Sequence, residues 1–228
     1  VSHLFSYLFQ LPVTSSSYMS IQASVGLSEG EDAHAVGANA AQDAIDRLGA
    51  EPSAVIVFSS VAYDQEKMLA GVRSVTKNAV LVGCSTAGEI TTDGPAKRHS
   101  VAVMAFKTEG ISFYAGVGEN IAGGAREAGR KAAAAVKTQA PDGKLNAFMM
   151  LPDVLTGNGA DIVRGVLDSL GAHFPVVGGA AGDDFEFKKT YQYLNDKVFS
   201  GAVVGLGMQG QFKFGIGVKH GWIPVGAP

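Results

Sequence analysis

Polar and very small side chains follow four predicted strands of this chain, at the points where the strands end. Two of these segments, residues 83–89 and 178–184, are glycine turns that also carry acids. Ligands of open α/β sheets bind beyond the carboxyl ends of the strands. Backbone N–H groups in glycine turns suit a carboxylate, and acidic side chains suit an ammonium. The candidate ligand-binding residues are Ser59, Ser60, Tyr63, Gly83, Cys84, Ser85, Thr86, Glu89, Asp153, Gly178, Gly179, Asp183 and Asp184.

Together these residues predict one pocket that would bind a zwitterion such as an amino acid. The two glycine turns would line the pocket, and Ser59, Ser60, Tyr63 and Asp153 would close it. Serine hydroxyls would add hydrogen-bond donors, and the ring of Tyr63 would cover the apolar part of the ligand. The alternative is that the glycines only permit tight turns, because glycine adopts positive φ without a steric penalty. The sequence alone leaves both interpretations open.

Two glycine patterns resemble catalytic motifs but lack the elements that such motifs need. Residues 83–87 approach the nucleophile elbow G-x-S-x-G, yet Ala87 replaces the last glycine and the following residues cannot continue as a helix. Residues 205–210 fit G-x-G-x-x-G, but a predicted strand follows where the dinucleotide motif requires a helix. We therefore expect no enzyme, and a hydrolase that uses Ser85 or Cys84 is the less favoured alternative. Cys84 follows an apolar strand and is expected to be buried and unreactive.

The five histidines show no spacing typical of a metal site. No H-x-x-x-H or C-x-x-C pair occurs, so we expect no structural zinc. His220 stands beside a glycine and the single tryptophan, Trp222. An axial haem ligand needs no partner at a fixed spacing, so His220 keeps a haem-binding sensor open as an alternative to a chain without cofactor.

The chain repeats one pattern after about 95 residues. Residues 80–89 and 175–183 each consist of an apolar run, a glycine, several very small residues, a second glycine and an acid. Such a period is far longer than the 20–50 residues of solenoid repeats. It predicts an α/β fold made of two pseudo-symmetric copies of a mixed-sheet βα unit that face each other. A small-molecule site is then expected at their interface.

The copies are predicted at about residues 21–117 and 118–218, within one domain that covers residues 21–228. Residues 1–20 are apolar and serine-rich and are interpreted as an N-terminal extension or the remnant of an added sequence. Residues 101–106 and 111–117 are predicted to pair as a hairpin, and the last strands, up to residue 218, to form a meander. Helix starts are predicted at a capping box in residues 28–31, at Asp64 and at Asn158.

Composition excludes several classes of function. The 228 residues carry a net charge of −3 and show no large basic cluster, so nucleic-acid binding is not expected. No apolar run approaches the roughly 20 residues that span a bilayer, and therefore no membrane span is predicted. One cysteine fits a reducing compartment, which predicts a cytoplasmic location.

Four segments resemble the N-terminal FIST sensory domain: residues 55–64, 81–90, 175–183 and 217–222. The resemblance covers about residues 21–226. It implies an input module of bacterial signal transduction that binds a small ligand such as an amino acid. A downstream kinase or cyclase and a possible homodimer would be its partners. Some family members are similar to haem-binding nitric oxide sensors. The C-terminal FIST domain that usually follows is not found before Pro228.

Overall fold

The computed structural model describes residues 20–217 and Val225. The predicted extension therefore lies outside the described residues except for Ser20, and His220 lies outside them as well. The haem alternative stays a prediction, which the absorbance spectrum of the purified protein checks through the Soret band of haem. None of the helices in the described ranges is long and apolar enough to cross a bilayer.

The described chain forms two units with the same order of elements. The first unit, residues 21–108, contains β1 (Ile21–Glu29), α1 (Ala33–Leu48), β2 (Ala54–Ser60), α2 (Gln65–Thr76), β3 (Val80–Thr86), the hairpin strands β4 (Glu89–Thr91) and β5 (Gly94–Lys97), and β6 (Ser100–Thr108). The second unit, residues 111–210, contains β7 (Ile111–Gly118), α3 (Ala125–Lys137), β8 (Ala147–Pro152), α4 (Gly159–Leu170), β9 (Val176–Gly178), the hairpin strands β10 (Gln192–Leu194) and β11 (Lys197–Phe199), and β12 (Val203–Gly210).

The two units also share their strand order. The first sheet runs β1-β6-β2-β3 and the second runs β7-β12-β8-β9, so each strand has a counterpart in the other sheet. Gly83 pairs with Val57 on β2, and Gly178 pairs with Met150 on β8, at equivalent positions of parallel ladders. The predicted fold of two mixed-sheet βα copies is therefore confirmed.

One hairpin crosses from the second unit to the sheet of the first. The strands β10 and β11 extend the first sheet beyond β3, which makes it six-stranded. Tyr193 on β10 pairs antiparallel with Gly83 on β3. The counterpart hairpin of the first unit, β4 and β5, forms a separate two-stranded sheet. Because only the hairpin of the second unit crosses, the pseudo-symmetry is broken there. The backbone hydrogen bonds between β10 and β3 link the two units.

Two predicted pairings are wrong. β6 and β7 belong to different sheets, because β6 pairs with β1 and β2 while β7 pairs with β12. The turn between them is a connection between units, and β7 is thus the first strand of the second unit. The last strands form no meander either, since β10 and β11 join the first sheet and residues 212–217 are not in a strand. In both cases a strand pairs with one that is distant in sequence: β6 with β1, β7 with β12 and β10 with β3.

The elements pack in four layers, α–β–β–α. Helices α1 and α2 cover the outer face of the first sheet, and α3 and α4 cover the outer face of the second. A third core lies between the two sheets, where Val82 and Cys84 pack with Leu151 and Val204. Fully burying one such aliphatic side chain stabilises the fold by roughly 1.5–3 kcal/mol. The central strands β2, β3 and β8, which lie between a helix layer and the facing sheet, are therefore buried along almost their whole length.

Each helix pair is held at close range by two glycines. In the first unit a Cβ on Gly37 would lie 2.2 Å from the carbonyl oxygen of Met68, and one on Gly71 would lie 2.0 Å from that of His34. In the second unit Gly129 and Gly165 make the same approach between α3 and α4. Such distances leave no room for a side chain, which explains part of the high glycine content.

Two of the three predicted helix starts are confirmed, and α3 begins after Gly124 without a side-chain cap. Asp64 and Asn158 cap α2 and α4 by accepting backbone N–H groups of the first turn, as predicted. The capping box at residues 28–31 is wrong, because Ser28 belongs to β1 and Asp32 caps α1 instead. Strand β1 thus extends further than the local pattern indicates.

Candidate functional site

A cavity of about 400 Å³ lies between the two units, beside the end of β3. The second sheet lies mainly over β3 and β10. It also reaches Phe106 of β6, which packs against Phe113 of β7, and the rest of the inner face of β1 and β6 extends beyond it. This uncovered face forms the apolar wall of the cavity, and the segment after β3 and the loop after β9 form its other sides. The lining residues are Val25, Phe58, Thr86, Ala87, Gly88, Glu89, Ile90, Thr91, Thr92, Ala102, Met104, Ala180 and Gly182.

The two glycine turns of the sequence meet directly at this cavity. The N–H of Gly182 donates to the carbonyl oxygen of Ser85 at 2.8 Å, and the Ser85 hydroxyl donates to the carbonyl oxygen of Gly182 at 2.6 Å. The N–H of Asp184 donates to the carbonyl oxygen of Thr86 at 3.2 Å. A Cβ on Gly182 would lie 3.0 Å from the backbone of Thr86. Residues from both predicted turns thus line one cavity between the units.

Glu89 is the polar centre of the cavity. Its side chain is only 3% exposed, and the hydroxyls of Thr86 and Ser100 donate to its two carboxylate oxygens. Burial raises the pKa of Glu89 above its ordinary value. The two hydroxyl hydrogen bonds oppose that rise, and the charge of Asp184 adds to it. Among the described residues that line the cavity, Glu89 is the only ionisable one, and none is basic.

Asp184 lies behind the cavity wall and carries an unsatisfied acceptor. The Ser60 hydroxyl donates to its Oδ2 at 2.6 Å, while its buried Oδ1 has no hydrogen-bond partner within residues 20–217 and 225. Its backbone has a φ of +54°, and Phe185 and Phe187 also have positive φ. Non-glycine residues keep this conformation only when their surroundings hold them in it. Asp184 therefore joins a strained loop to the polar end of the site.

Asp183 holds that loop in place. Its carboxylate accepts the backbone N–H groups of Phe187 at 3.0 Å, Lys188 at 2.6 Å and Lys189 at 3.1 Å. Burial by itself would raise the pKa of Asp183, but the three amide donors outweigh it and hold that pKa below its ordinary value. Both carboxylate oxygens are thus used within the loop, and the side chain does not line the cavity.

Asp153 plays the corresponding part at the end of β8. Its carboxylate accepts the N–H groups of Leu155 at 2.8 Å, Thr156 at 3.3 Å and Gly201 at 3.1 Å. The side chain is fully buried and fixes the turn against the start of β12. Like Asp183, it acts on its own backbone and lies outside the cavity lining.

Ser59 and Tyr63 point toward the helices of the first unit. Ser59 forms a hydrogen bond of 2.7 Å with the hydroxyl of Tyr193, beside the amide of Gln65. The Tyr63 hydroxyl donates to the carbonyl oxygen of Gly30 at 3.1 Å and to that of His99. Neither side chain lines the cavity.

The predicted glycines act in the strands rather than at the cavity. A Cβ on Gly83 would lie 2.2 Å from the carbonyl oxygen of Val57, and one on Gly178 would lie 1.9 Å from that of Met150. Gly83 and Gly178 therefore let β3 and β9 approach the neighbouring strands. Gly179 donates its N–H to the carbonyl oxygen of Met150 at 3.3 Å, and no described atom lies within 4 Å of its Cβ position.

Ser85 and Cys84 are both buried at the end of β3. The Ser85 hydroxyl donates to Gly182 and accepts the N–H of Tyr191 at 2.9 Å, so it links two segments of the second unit to β3. Cys84 is 2% exposed in the core between the sheets. Burial raises the pKa of the Cys84 thiol to about 12, and the charge of Glu89 adds to the rise.

We predict that Cys84 resists thiol reagents in the folded protein. The thiolate is the reactive form, and at neutral pH a buried thiol with so high a pKa supplies almost none of it. Labelling with a maleimide should be complete within minutes in denaturant and remain negligible over the same time in native buffer. Mass spectrometry of both samples checks this, and rapid native labelling would contradict it.

Of the predicted residues, Thr86 and Glu89 line the cavity, whereas the others stand behind it or in the strands. Sequence reasoning missed the apolar wall, formed by Val25, Phe58, Ala102 and Met104, and also Ser100, the second donor to Glu89. The wall residues alternate along β1 and β6 as any core-facing residues do. Their distinguishing feature is that the second sheet covers them only in part: Phe58 and Met104 pack against the core between the sheets and also line the cavity.

The family model of the FIST N domain matches residues 53–228. The chain belongs to the FIST N domain family. The FIST domain is a sensory domain of signal transduction proteins. No curated protein matches this FIST N domain in sequence. Among solved structures, a cyanuric acid hydrolase from A. caulinodans is similar to it with 8% identity and a TM-score of 0.41, over 85% of this chain and 72% of the hydrolase.

Proposed function

We propose that this FIST N domain is a small-ligand-binding input module of bacterial signal transduction and that its ligand occupies the cavity beside Glu89. The proposed ligand is an amino acid or a similar small metabolite. The observation that supports this most is one buried carboxyl group in a cavity that has a continuous apolar wall and three threonines, Thr86, Thr91 and Thr92, as its other polar side chains. Ligand pockets are generally of this kind, with apolar walls and a few polar groups that orient the ligand.

The position of the cavity between the units supports a sensory role. A ligand there would contact β1, β4 and β6 of the first unit together with Ala180 and Gly182 of the second. It would therefore favour one arrangement of the loop after β9, because a ligand shifts an equilibrium by its differential affinity for the two states. That loop continues through Asp184 to Phe185 and Phe187, which are 67% and 74% exposed. A downstream kinase or cyclase in the cytoplasm could read such a change.

We propose no catalytic role for Ser85 or Cys84. A serine nucleophile needs a base within hydrogen-bonding distance, and within the described part of the chain the Ser85 hydroxyl bonds only to backbone groups of Gly182 and Tyr191. The Cys84 thiol lies in the core with a raised pKa. These contacts favour binding without chemistry over the hydrolase alternative.

Calorimetric titration with a panel of amino acids, amines and other small metabolites tests the proposal. Ala180 lines the cavity and is exposed, so Ala180→Phe should fill its entrance with little effect on folding. We expect this variant to weaken the binding of any ligand found by at least about tenfold, or 1.4 kcal/mol. Ala35→Phe is the matched control, since Ala35 is exposed on α1 behind the opposite face of the sheet.

Two results would contradict the proposal. If Ala180→Phe binds the ligand as tightly as the wild type, the site lies elsewhere. If no panel member binds to the wild type, the proposal that this cavity binds an amino acid or a similar small metabolite fails.

A further inference from the structure

We infer that the cavity selects an organic monocation, a primary amine with an apolar body and no carboxylate, over the zwitterionic amino acid of the same shape. This inference rests on the proposed function, since it names the ligand class of the same cavity. It depends on the charge around Glu89, on the hydrogen-bonding groups that surround the carboxylate, and on the composition of the walls.

The charge that lines the cavity is negative. Lys97 pairs with Glu89 across the β4–β5 hairpin, but its ammonium forms an ion pair with Glu29 at 3.2 Å. Glu89 lines the cavity, Asp184 lies close enough for its charge to act on Glu89, and none of the described lining residues is basic. Asp184 also keeps one buried oxygen without a donor. An ammonium would be attracted to this end of the cavity. The carboxylate of an α-amino acid would be repelled, because it is attached to the same carbon as the ammonium and must stay near the two acids.

The hydrogen-bonding groups at Glu89 call for a ligand that donates. The hydroxyl hydrogens of Thr86 and Ser100 are both committed to the Glu89 carboxylate. The backbone N–H of Glu89 also donates to this carboxylate. A carboxylate accepts about four hydrogen bonds, so about one position remains open for a ligand. An ammonium can fill it with a charge-assisted bond, which is roughly twice as strong as a neutral one.

The walls suit a hydrocarbon or aromatic body. Val25, Phe58, Ala102 and Met104 form one continuous apolar surface across β1, β6 and β2. The volume of about 400 Å³ lies near the lower end of the range for ligand pockets. A body of the size of a phenylethyl or methylbutyl group would bury its apolar surface there without additional polar contacts.

A matched set of three ligands tests the inference on the wild-type protein. 2-Phenylethylamine, phenylalanine and 2-phenylethanol share ring and chain length but are cationic, zwitterionic and neutral, respectively. A second set consists of 3-methylbutylamine, leucine and 3-methylbutanol. By calorimetry at pH 7, at least one amine should bind at least about tenfold more tightly than its amino acid, a difference of 1.4 kcal/mol. Amino acids that bind as tightly as the amines would overturn the inference.

Glu89→Gln provides the second measurement, because it removes the charge and keeps the shape and one acceptor oxygen. Amine affinity should fall at least about tenfold, whereas the affinity of the matching alcohol should change less than about twofold. Unchanged amine binding would overturn the inference. If neither amine binds while another panel member does, the inference fails and the proposed function stands. If nothing in the panel binds, both fail.

Discussion

Replacing Gly178 with alanine is expected to destabilise the folded protein by about 3 kcal/mol or more. The new Cβ would lie 1.9 Å from the carbonyl oxygen of Met150, and the backbone at Gly178 has a φ of +155°. Forcing an extra methyl group against well-packed neighbouring atoms costs roughly 1–3 kcal/mol, and a conformation that only glycine adopts readily adds roughly 1–3 kcal/mol. Strand β9 would have to move away from β8. The midpoint of urea denaturation measures the loss.

Gly179 is the matched control for this variant. It is the next residue, and no atom of residues 20–217 and 225 lies within 4 Å of its Cβ position. Gly179→Ala should therefore change the free energy of unfolding by less than about 0.5 kcal/mol. A side chain at Gly178 would thus displace β9 rather than narrow the cavity, which Gly178 does not line. Equal stability of Gly178→Ala and Gly179→Ala would contradict the close approach of β9 to β8.

Asp183→Ala is expected to cost about 3 kcal/mol and to release the loop after β9. Hydrogen bonds to a charged group contribute roughly 1.5–3 kcal/mol each, and the three amides can regain part of this from water because the loop is exposed. Without the carboxylate, Asp184 is still held by Ser60 and Thr86. The segment from Phe185 to Lys189, with its positive φ at Phe185 and Phe187, loses the bonds that fix it. Denaturant titration measures the stability, and hydrogen exchange should show lost protection of the amides at Phe187, Lys188 and Lys189.

The pH dependence separates this role from a simple packing effect. The pKa of Asp183 is lower in the folded state than its unfolded value of about 3.9. The carboxylate therefore stabilises the protein at neutral pH, and this contribution is lost as the pH falls through the folded-state pKa. Asp183→Ala should thus lose less stability on acidification than the wild type. Glu186→Ala, which removes only an exposed ion pair with Lys188, should match the wild type at every pH.

The duplicated fold could be predicted because its signals are local. Continuous apolar runs gave the buried strands, and the glycines at 83 and 178 marked equivalent ends of them. The pairing of β6 with β1, and of β7 with β12, could not be predicted in the same way. Glu109 and Gly110 suggest a hairpin, and no local pattern reveals that distant strands compete for both edges.

The candidate site was predicted only in part, because acids that bind ligands and acids that cap turns look alike in sequence. Glu89 lines the cavity, whereas Asp153 and Asp183 each accept three amides of nearby backbone. All three follow a strand and stand near glycine. They differ in whether backbone N–H groups of later residues donate to the carboxylate, which depends on the conformation of the following loop.

The hairpin that crosses between the units has a consequence for how the chain is made. Gly83 on β3 pairs with Tyr193 on β10, which is synthesised 110 residues later. Until then this edge of β3 has no partner strand. At synthesis rates of roughly 5–20 residues per second, that interval is on the order of 10 s. An unpaired edge strand is a template for pairing with another chain. The nascent first unit is therefore exposed to misassembly with neighbouring chains until β10 emerges.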